Sequence, residues 1–225
     1  EFNKAKNDTI RDTIHAVVNE SLNLIGLMVL PFFSGVFTIA NWWPHDWPLL
    51  IQLLAAILIA DVGITLVHFA SHHIPFLWRF HAVHHSVKRM YGFNGLMKHP
   101  IHQIIETIAG ITPLLLIGVS HEVLTLLAIA VIIQLLLQHS NVSYFCKPLH
   151  YILALNVSHR IHHLNSKEGN VNFGLFTMLT DSALGTIKAD MKHRITSGNI
   201  GINSEPNYPI SYFSQIKQPF RKQKT

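Results

Sequence analysis

Four long apolar runs dominate this chain of 225 residues and limit it to a helical membrane architecture. They are Leu22 to Ala40, with Pro31 inside it; Leu49 to Ala70, with Gln52 and Asp61; Ile104 to Val119, with Glu106 and Pro113; and Val123 to Leu137. A helix needs about 20 apolar residues to cross a bilayer, with a range of about 17–25. The first two runs meet that length. The last two are marginal, and the short Ser120-His121-Glu122 link between them predicts a tight helical hairpin. Two runs this long exceed what soluble core helices carry. The expected fold is all-α, an integral membrane four-helix bundle forming one domain, with spans at about 22–40, 49–70, 104–119 and 123–137. Residues 74–103 and 141–194 are expected to form a helical cap. Residues 195–225, polar with Pro206, Pro209 and Pro219, read as a surface tail or lid fragment. The chain opens at Glu1 without a Met, as a trimmed or incomplete chain would, and residues 1–20 lack the shape of a signal peptide.

Charge placement gives the orientation. The Asn41–Trp47 loop and the link at Ser120 carry no Lys or Arg. Segment 1–20 carries three, segment 74–103 four (Arg79, Lys88, Arg89, Lys98) and the region after Asn141 the other ten. All 17 fall on one side of a four-span arrangement, which the positive-inside rule makes cytoplasmic, with both termini there. Trp42, Trp43 and Trp47 in the opposite loop are expected to form an interfacial aromatic belt. The net charge of +5 then serves orientation and contact with anionic headgroups, not nucleic-acid binding. Charged residues at 13% are too few for a disordered chain or a coiled coil. Cys146 is the single cysteine, which excludes a disulfide scaffold and an iron–sulfur cluster.

Histidine is as abundant as Lys and Arg together, at 17 residues, and most of it falls on that same side. His68 and His72 form H-x3-H at the end of the second run, with both imidazoles on one helical face. His81, His84 and His85 form H-x2-H-H, and His159, His162 and His163 repeat it. In each, positions i, i+3 and i+4 share a face. His99-Pro100-Ile101-His102 and Gln138-His139-Ser140-Asn141 lie between them. His15, His45, His121, His150 and His193 read as exposed or capping residues. The eight box histidines read as metal ligands, because imidazoles gathered beside an apolar slab would otherwise be poorly satisfied. Neutral imidazole suits Zn, Cu, Fe and Ni, and eight or more ligands exceed the demand of one ion, so two ions sharing the set is the economical solution. The Glu and Glu-x-x-His pattern of carboxylate-bridged di-iron bundles is absent.

From Asp61 to Thr186 the chain resembles the fatty acid hydroxylase/sterol desaturase superfamily of membrane di-iron enzymes. The resemblance rests on the three boxes and on Leu77-Trp78-Arg79-Phe80-His81-Ala82-Val83-His84-His85-Ser86, Lys98-His99-Pro100, His139-Ser140-Asn141, Asn172-Phe173-Gly174, Asp181 and Gly185-Thr186. Two positions depart from the family's pattern. Phe69 stands where an Arg commonly follows the first His, and Leu179-Thr180 where a Trp often precedes the Asp. The resemblance implies a ligand set of His68, His72, His81, His84, His85, His139, His159, His162 and His163, with His99 as a tenth and His73 and His102 adjoining. Asp61 lies seven residues before His68, about 10 Å along the same face, where a carboxylate could fix a ligand's tautomer or pack against another polar group. Asp181 and Asn165 are further candidates to support the ligands; Asn172 either joins them or caps a turn.

The implied activity is O2-dependent oxidation of an unactivated lipid C–H, hydroxylation or desaturation, at two iron ions. Zinc can replace iron in purified protein, because it outranks Fe(II) in affinity. The substrate would be a fatty acyl or sterol-type membrane lipid entering sideways from the bilayer. The chain has no G-x-G-x-x-G nucleotide fold and no cluster cysteines, so electrons are expected from an external donor, a ferredoxin or a cytochrome b5-like protein. The basic residues Arg79, Lys88, Arg89 and Lys98 would either dock an acidic donor or serve topology alone. The competing reading is a non-catalytic membrane metal-binding or metal-transport protein. A haem cytochrome would need histidines deep in facing spans, and the run interiors offer none.

Overall fold

A computed structural model describes residues 4, 7–142, 147–188 and 195–221. Among them the chain is helical, with strand pairing limited to two isolated bridges, Leu153–Thr177 and Leu164–Ile200. Four long helices, α1 (Thr9–Phe37), α2 (Leu49–His73), α4 (Pro100–Leu116) and α5 (His121–Gln138), pack side by side. Three have the length and apolarity to cross a membrane: Thr9–Leu30 of α1, all of α2 and all of α5. The fourth, α4, is apolar but shorter. The cap carries α3 (Pro75–His85), α6 (Asn156–His162), α7 (Leu179–Leu184) and α8 (Tyr212–Lys217). His193 and Cys146 lie outside the described residues.

The α2 sequence shows how one helix serves two solvents. Leu50, Leu54, Leu58, Val62 and Leu66 form an exposed row at spacing four, too large an apolar stripe for a water-facing surface. Gln52, Ala56, Ala60, Ile64 and His68 form a buried row on the opposite face. The small residues bring α4 close. A Cβ added to Gly63 would lie 2.2 Å from the carbonyl oxygen of Ala109, and one added to Gly110 would lie 3.0 Å from Ile64. At the end of the row, Gln52 accepts from Trp43 Nε1 at 2.7 Å and donates to the carbonyls of His45 and Trp47. Trp43 is therefore buried and does not join the aromatic belt; Trp42 and Trp47 remain exposed.

The first helix begins well before the expected residue 22, and a polar stripe explains why. Asp8, Asp12, His15 and Asn19 recur at helical spacing and are all buried against the cap. Asp8 takes both Arg89 Nε and Nη2, at 2.9 and 2.6 Å. Asp12 accepts from Tyr91 Oη at 2.7 Å and pairs with Arg11. His15, expected to be exposed or to cap a helix, is buried and bridges the Lys98 carbonyl and Gln215 Oε1, both at 2.9 Å. Asn19 donates to the Leu96 and Lys98 carbonyls. Segment 195–221 is likewise built into the cap: Ile200, Ile202 and Tyr208 are buried, and Gln215 on α8 donates to Ser86 Oγ and the Pro209 carbonyl.

The basic stretch is partly consumed internally: two of its four members, Arg89 and Lys98, are buried in ion pairs, while Lys88 is exposed. Arg89 is buried on Asp8, Lys88 Nζ donates to the Ile200 carbonyl, and Lys98 pairs with Glu106. His150 is buried too, while His121 is exposed and donates from Nε2 to the Leu27 carbonyl.

The close approach of α2 and α4 makes a direct test. Gly63→Val should cost about 1–3 kcal/mol or more through backbone collision, seen as a lower melting temperature of the detergent-purified protein. Gly26→Val, at a glycine with open space around it, is the control. Equal melting temperatures for the two variants would contradict the packing.

Candidate metal centre

The histidine ends of α2 and α5 meet α3 and α6, and the imidazoles sort into two groups. His68, His72, His81, His85 and His162 offer nitrogens within 4.8 Å of one another; so do His84, His139, His159 and His163. Each H-x2-H-H box divides between them. On α3, His81 and His85, one turn apart, join the first group and His84 the second. On α6 and its C-cap the assignment reverses: His159 and His163 join the second group and His162 the first. The groups adjoin, with the His85 and His163 rings stacked at 4.5 Å between centroids.

The inner nitrogens face one another at close range. Nε2 of His85 lies 3.1 Å from His72, 3.0 Å from His81 and 3.0 Å from His162; His162 lies 2.9 Å from His68. In the second group, His159 Nε2 lies 2.9 Å from His139 and 3.1 Å from His163. Backbone carbonyls fix several tautomers. His68 Nδ1 donates to Phe173 O at 2.7 Å, His162 Nδ1 to Val171 O at 2.8 Å and His84 Nδ1 to Met97 O at 3.0 Å. Burial, reinforced by the neighbouring imidazoles, holds His81, His84, His85, His139, His159 and His163 well below the ordinary 6.5. Burial pulls His162 down to about 4. These rings are neutral at pH 7, the form that ligates metals.

This arrangement fits cations. With Nδ1–H of both His68 and His162 committed to carbonyls, their Nε2 atoms present lone pairs to each other at 2.9 Å. No hydrogen bond can satisfy that contact; a shared positive ion can. Nitrogens about 2.1 Å from one ion lie about 3.0 Å apart at right-angled positions and about 3.4 Å apart at tetrahedral ones. The separations of 2.9–3.1 Å put neighbouring nitrogens within reach of one shared ion.

Two buried carboxylates hold the segment that orients His68. Asp61 Oδ1 accepts from the amides of Leu175 (3.1 Å) and Phe176 (2.8 Å), and Oδ2 from the amide (2.9 Å) and hydroxyl (2.6 Å) of Thr177. Asp181 accepts from the amides of Phe173 (2.9 Å) and Gly174 (2.7 Å) and from Thr186 Oγ1 (2.5 Å). Five consecutive amides are thus bound by two side chains. On the other side of the segment, Gln138 donates to Gly174 O and Gln134 to Leu175 O. Asp61 therefore touches no imidazole; of the two roles open to it, it takes the second, packing against other polar groups. It positions His68 through Phe173, whose buried ring also packs edge-on against His68, His72 and His162 at 5.2–5.5 Å. Neither Asp61 nor Asp181 is placed to touch reacting atoms.

The other candidates fall outside both groups. His99 caps α4, accepting from the Ile101 amide at Nδ1, and donates from Nε2 to the Ile216 carbonyl, so neither nitrogen is available to a metal. His73 Nδ1 donates to Phe69 O, and Asn170 Nδ2 donates to His73 Nε2. His102 donates to Ser71 Oγ and lies beside Glu106, which Lys98 pairs. Asn172 adopts positive φ and ties the Ser158 carbonyl to the Lys188 backbone; Asn165 donates to Gly198 O. The reading from residues gave no role to Gln134 and Gln138, whose spacing of four at the end of the last apolar run was the available signal.

Comparison with known proteins covers this whole assembly. Residues 53–186 match the model of the fatty acid hydroxylase family. The chain is similar to the ornithine lipid hydroxylase OlsE of Rhizobium tropici, at 29% identity over an alignment that covers 98% of this chain and 69% of the relative. No solved structure matches it.

Replacing Asp61 by Asn keeps the shape but turns an NH2 toward backbone donors. Asp61→Asn should weaken retention of added Zn(II) or Fe(II) against a chelator about 10–100-fold, as loss of a group supporting a ligand does. Retention equal to wild type would separate Asp61 from the metal site.

Proposed function

This chain belongs to the fatty acid hydroxylase family, and from that premise we propose that it is a membrane monooxygenase that hydroxylates a lipid. The observation that carries this reading is the convergence of nine imidazoles in two adjacent groups at the end of a bundle with apolar outer faces. The five-histidine and four-histidine groups would each hold one iron ion. The pair of irons, when bound, supplies O2 activation for insertion of one oxygen atom into a C–H bond.

The protein's own part is to hold and to exclude. Asp61 and Asp181 set the segment whose Phe173 carbonyl fixes the His68 tautomer. Val171 and Met97 do the same for His162 and His84. Phe173 closes one side of the first group to water. Electrons come from an external donor, a ferredoxin or cytochrome b5-like protein. The histidine end faces the cytoplasm in this reading, supported by the placement of the basic residues. The similarity to a lipid hydroxylase favours hydroxylation over desaturation.

Lipidomics of cells expressing the wild-type chain against a His162→Ala/His163→Ala variant tests the reading. The expected outcome is a lipid heavier by one oxygen that the variant does not make; an alkene product would mean desaturation instead. Identical lipid profiles, with metal still bound, would favour the metal-binding alternative. Metal analysis adds a count. His85→Ala and His139→Ala should each reduce iron from about two ions per chain toward one, and a wild-type protein that never exceeds one ion would rule out the paired site.

A further inference from the structure

The four long helices do not close completely on one another. A cavity of about 520 Å3 lies among α1, α2, α4 and α5, and its wall is mainly apolar. It runs lengthwise: on α5 the wall extends from Leu124 to Leu135, about 16 Å along the helix axis. Gly26 of α1 lines it, and a Cβ added there would meet nothing within 4 Å. Val29 of α1 and Ile104 and Ile108 of α4 line it and are also exposed, so the cavity opens sideways between these two helices, on the apolar flank of the bundle.

The cap end of the same cavity is polar. Lys98 and Glu106 line it and pair with each other. Gln103 and Thr107, one turn apart on α4, also line it, and neither side chain makes a hydrogen bond among the described residues, although Gln103 is only 7% exposed. Thr112 and Thr125, by contrast, return their hydroxyls to the carbonyl four residues back. A buried amide without a partner is costly, so this end calls for an acceptor from outside. Water could answer the amide but gains nothing along the leucine wall. A hydrocarbon chain that ends in a carbonyl answers both.

Toward the metal centre the cavity is closed. None of the nine grouped histidines lines it. Behind Glu106 comes His102, at 3.7 Å, and only then His81, whose ring lies 4.5 Å from that of His102. A chain lodged here cannot present a C–H to either histidine group.

We propose that this cavity holds one acyl chain of a second membrane lipid, a glycerophospholipid that is bound without being oxidised. The chain enters between α1 and α4, and its ester carbonyl accepts from Gln103 and Thr107 at the cap end. Burying its methylenes on the folded bundle alone stabilises the fold by mass action. The proposal goes beyond the hydroxylase reading and needs only a bundle that faces lipid.

The test uses the purified protein in dioleoyl phosphatidylcholine vesicles doped with the same phospholipid carrying a diazirine in mid-chain. After irradiation, adducts are mapped by peptide mass spectrometry. Leu124 and Leu127 line the cavity and are buried, so lipid that merely surrounds the bundle cannot reach them. Adducts on these two, beside adducts on the exposed Leu54 and Leu58, are the expected result. Adducts confined to the exposed residues overturn the proposal. Gly26→Phe fills the cavity and should lower the Leu127 adduct about tenfold with the Leu54 and Leu58 adducts unchanged; undiminished labelling of Leu127 overturns it too. Should that variant fail to fold, the wild-type map still decides. Phosphatidylcholine recovered after incubation of the iron-loaded protein with O2 and reduced ferredoxin should be unchanged in mass. An added oxygen in its chain would make it a substrate, overturning the proposal and leaving the hydroxylase reading standing.

Discussion

A carboxylate inside an apolar layer must find donors, and Asp61 finds four, from three consecutive residues of a distant segment. Charge-assisted bonds of this kind are the strong ones, and a buried carboxylate without them would be costly. Asp181 takes the two preceding amides, so residues 173–177 have no freedom to shift along their own axis. That segment accepts the Nδ1–H of His68 and receives Gln134 and Gln138 of α5 on its other side. The first histidine box, the last membrane helix and the chain beyond the third box thereby share one frame. The metal centre inherits its geometry from backbone hydrogen bonds more than from the histidines themselves.

Much of this was legible in the residues, and the illegible parts have physical reasons. Apolar length located the long helices, and the boxes located the ligands' elements. The helix start at Thr9 was hidden because the stripe of Asp8, Asp12, His15 and Asn19 is polar yet buried, and hydropathy cannot see a polar core. Trp43 looked like its exposed neighbours until Gln52 was known to take its Nε1–H. Asp61 stood on the right face of α2, but its partner lies more than a hundred residues away, and spacing says nothing about so distant a contact. His99 shared the composition of a ligand and turned out to cap α4, a role open to any acceptor before a helix start.

The two faces of α2 show how membrane and site are reconciled. Leucines and a valine at spacing four meet lipid, while the opposite row runs from Gln52 through alanines to His68. Small residues there admit α4 at backbone contact. The polar groups of the buried face with hydrogen-bonding partners thus lie toward the two ends of the helix and at the carboxylate of Asp61 between them. The same economy governs the cap, where Arg89 and Lys98 serve internal ion pairs instead of the surface.

The division of each box between two groups carries a consequence for spacing. Residues one turn apart on α3 serve one group while the residue beside the second of them serves the other, and α6 mirrors this. The offset between neighbouring positions on an α-helix is fixed by its pitch at about 100° and 1.5 Å. Each helix therefore acts as a ruler laid across both histidine groups, written twice in opposite senses. Distance between the two histidine groups becomes a property of helical geometry itself, insulated from loop length and from the lipid around it.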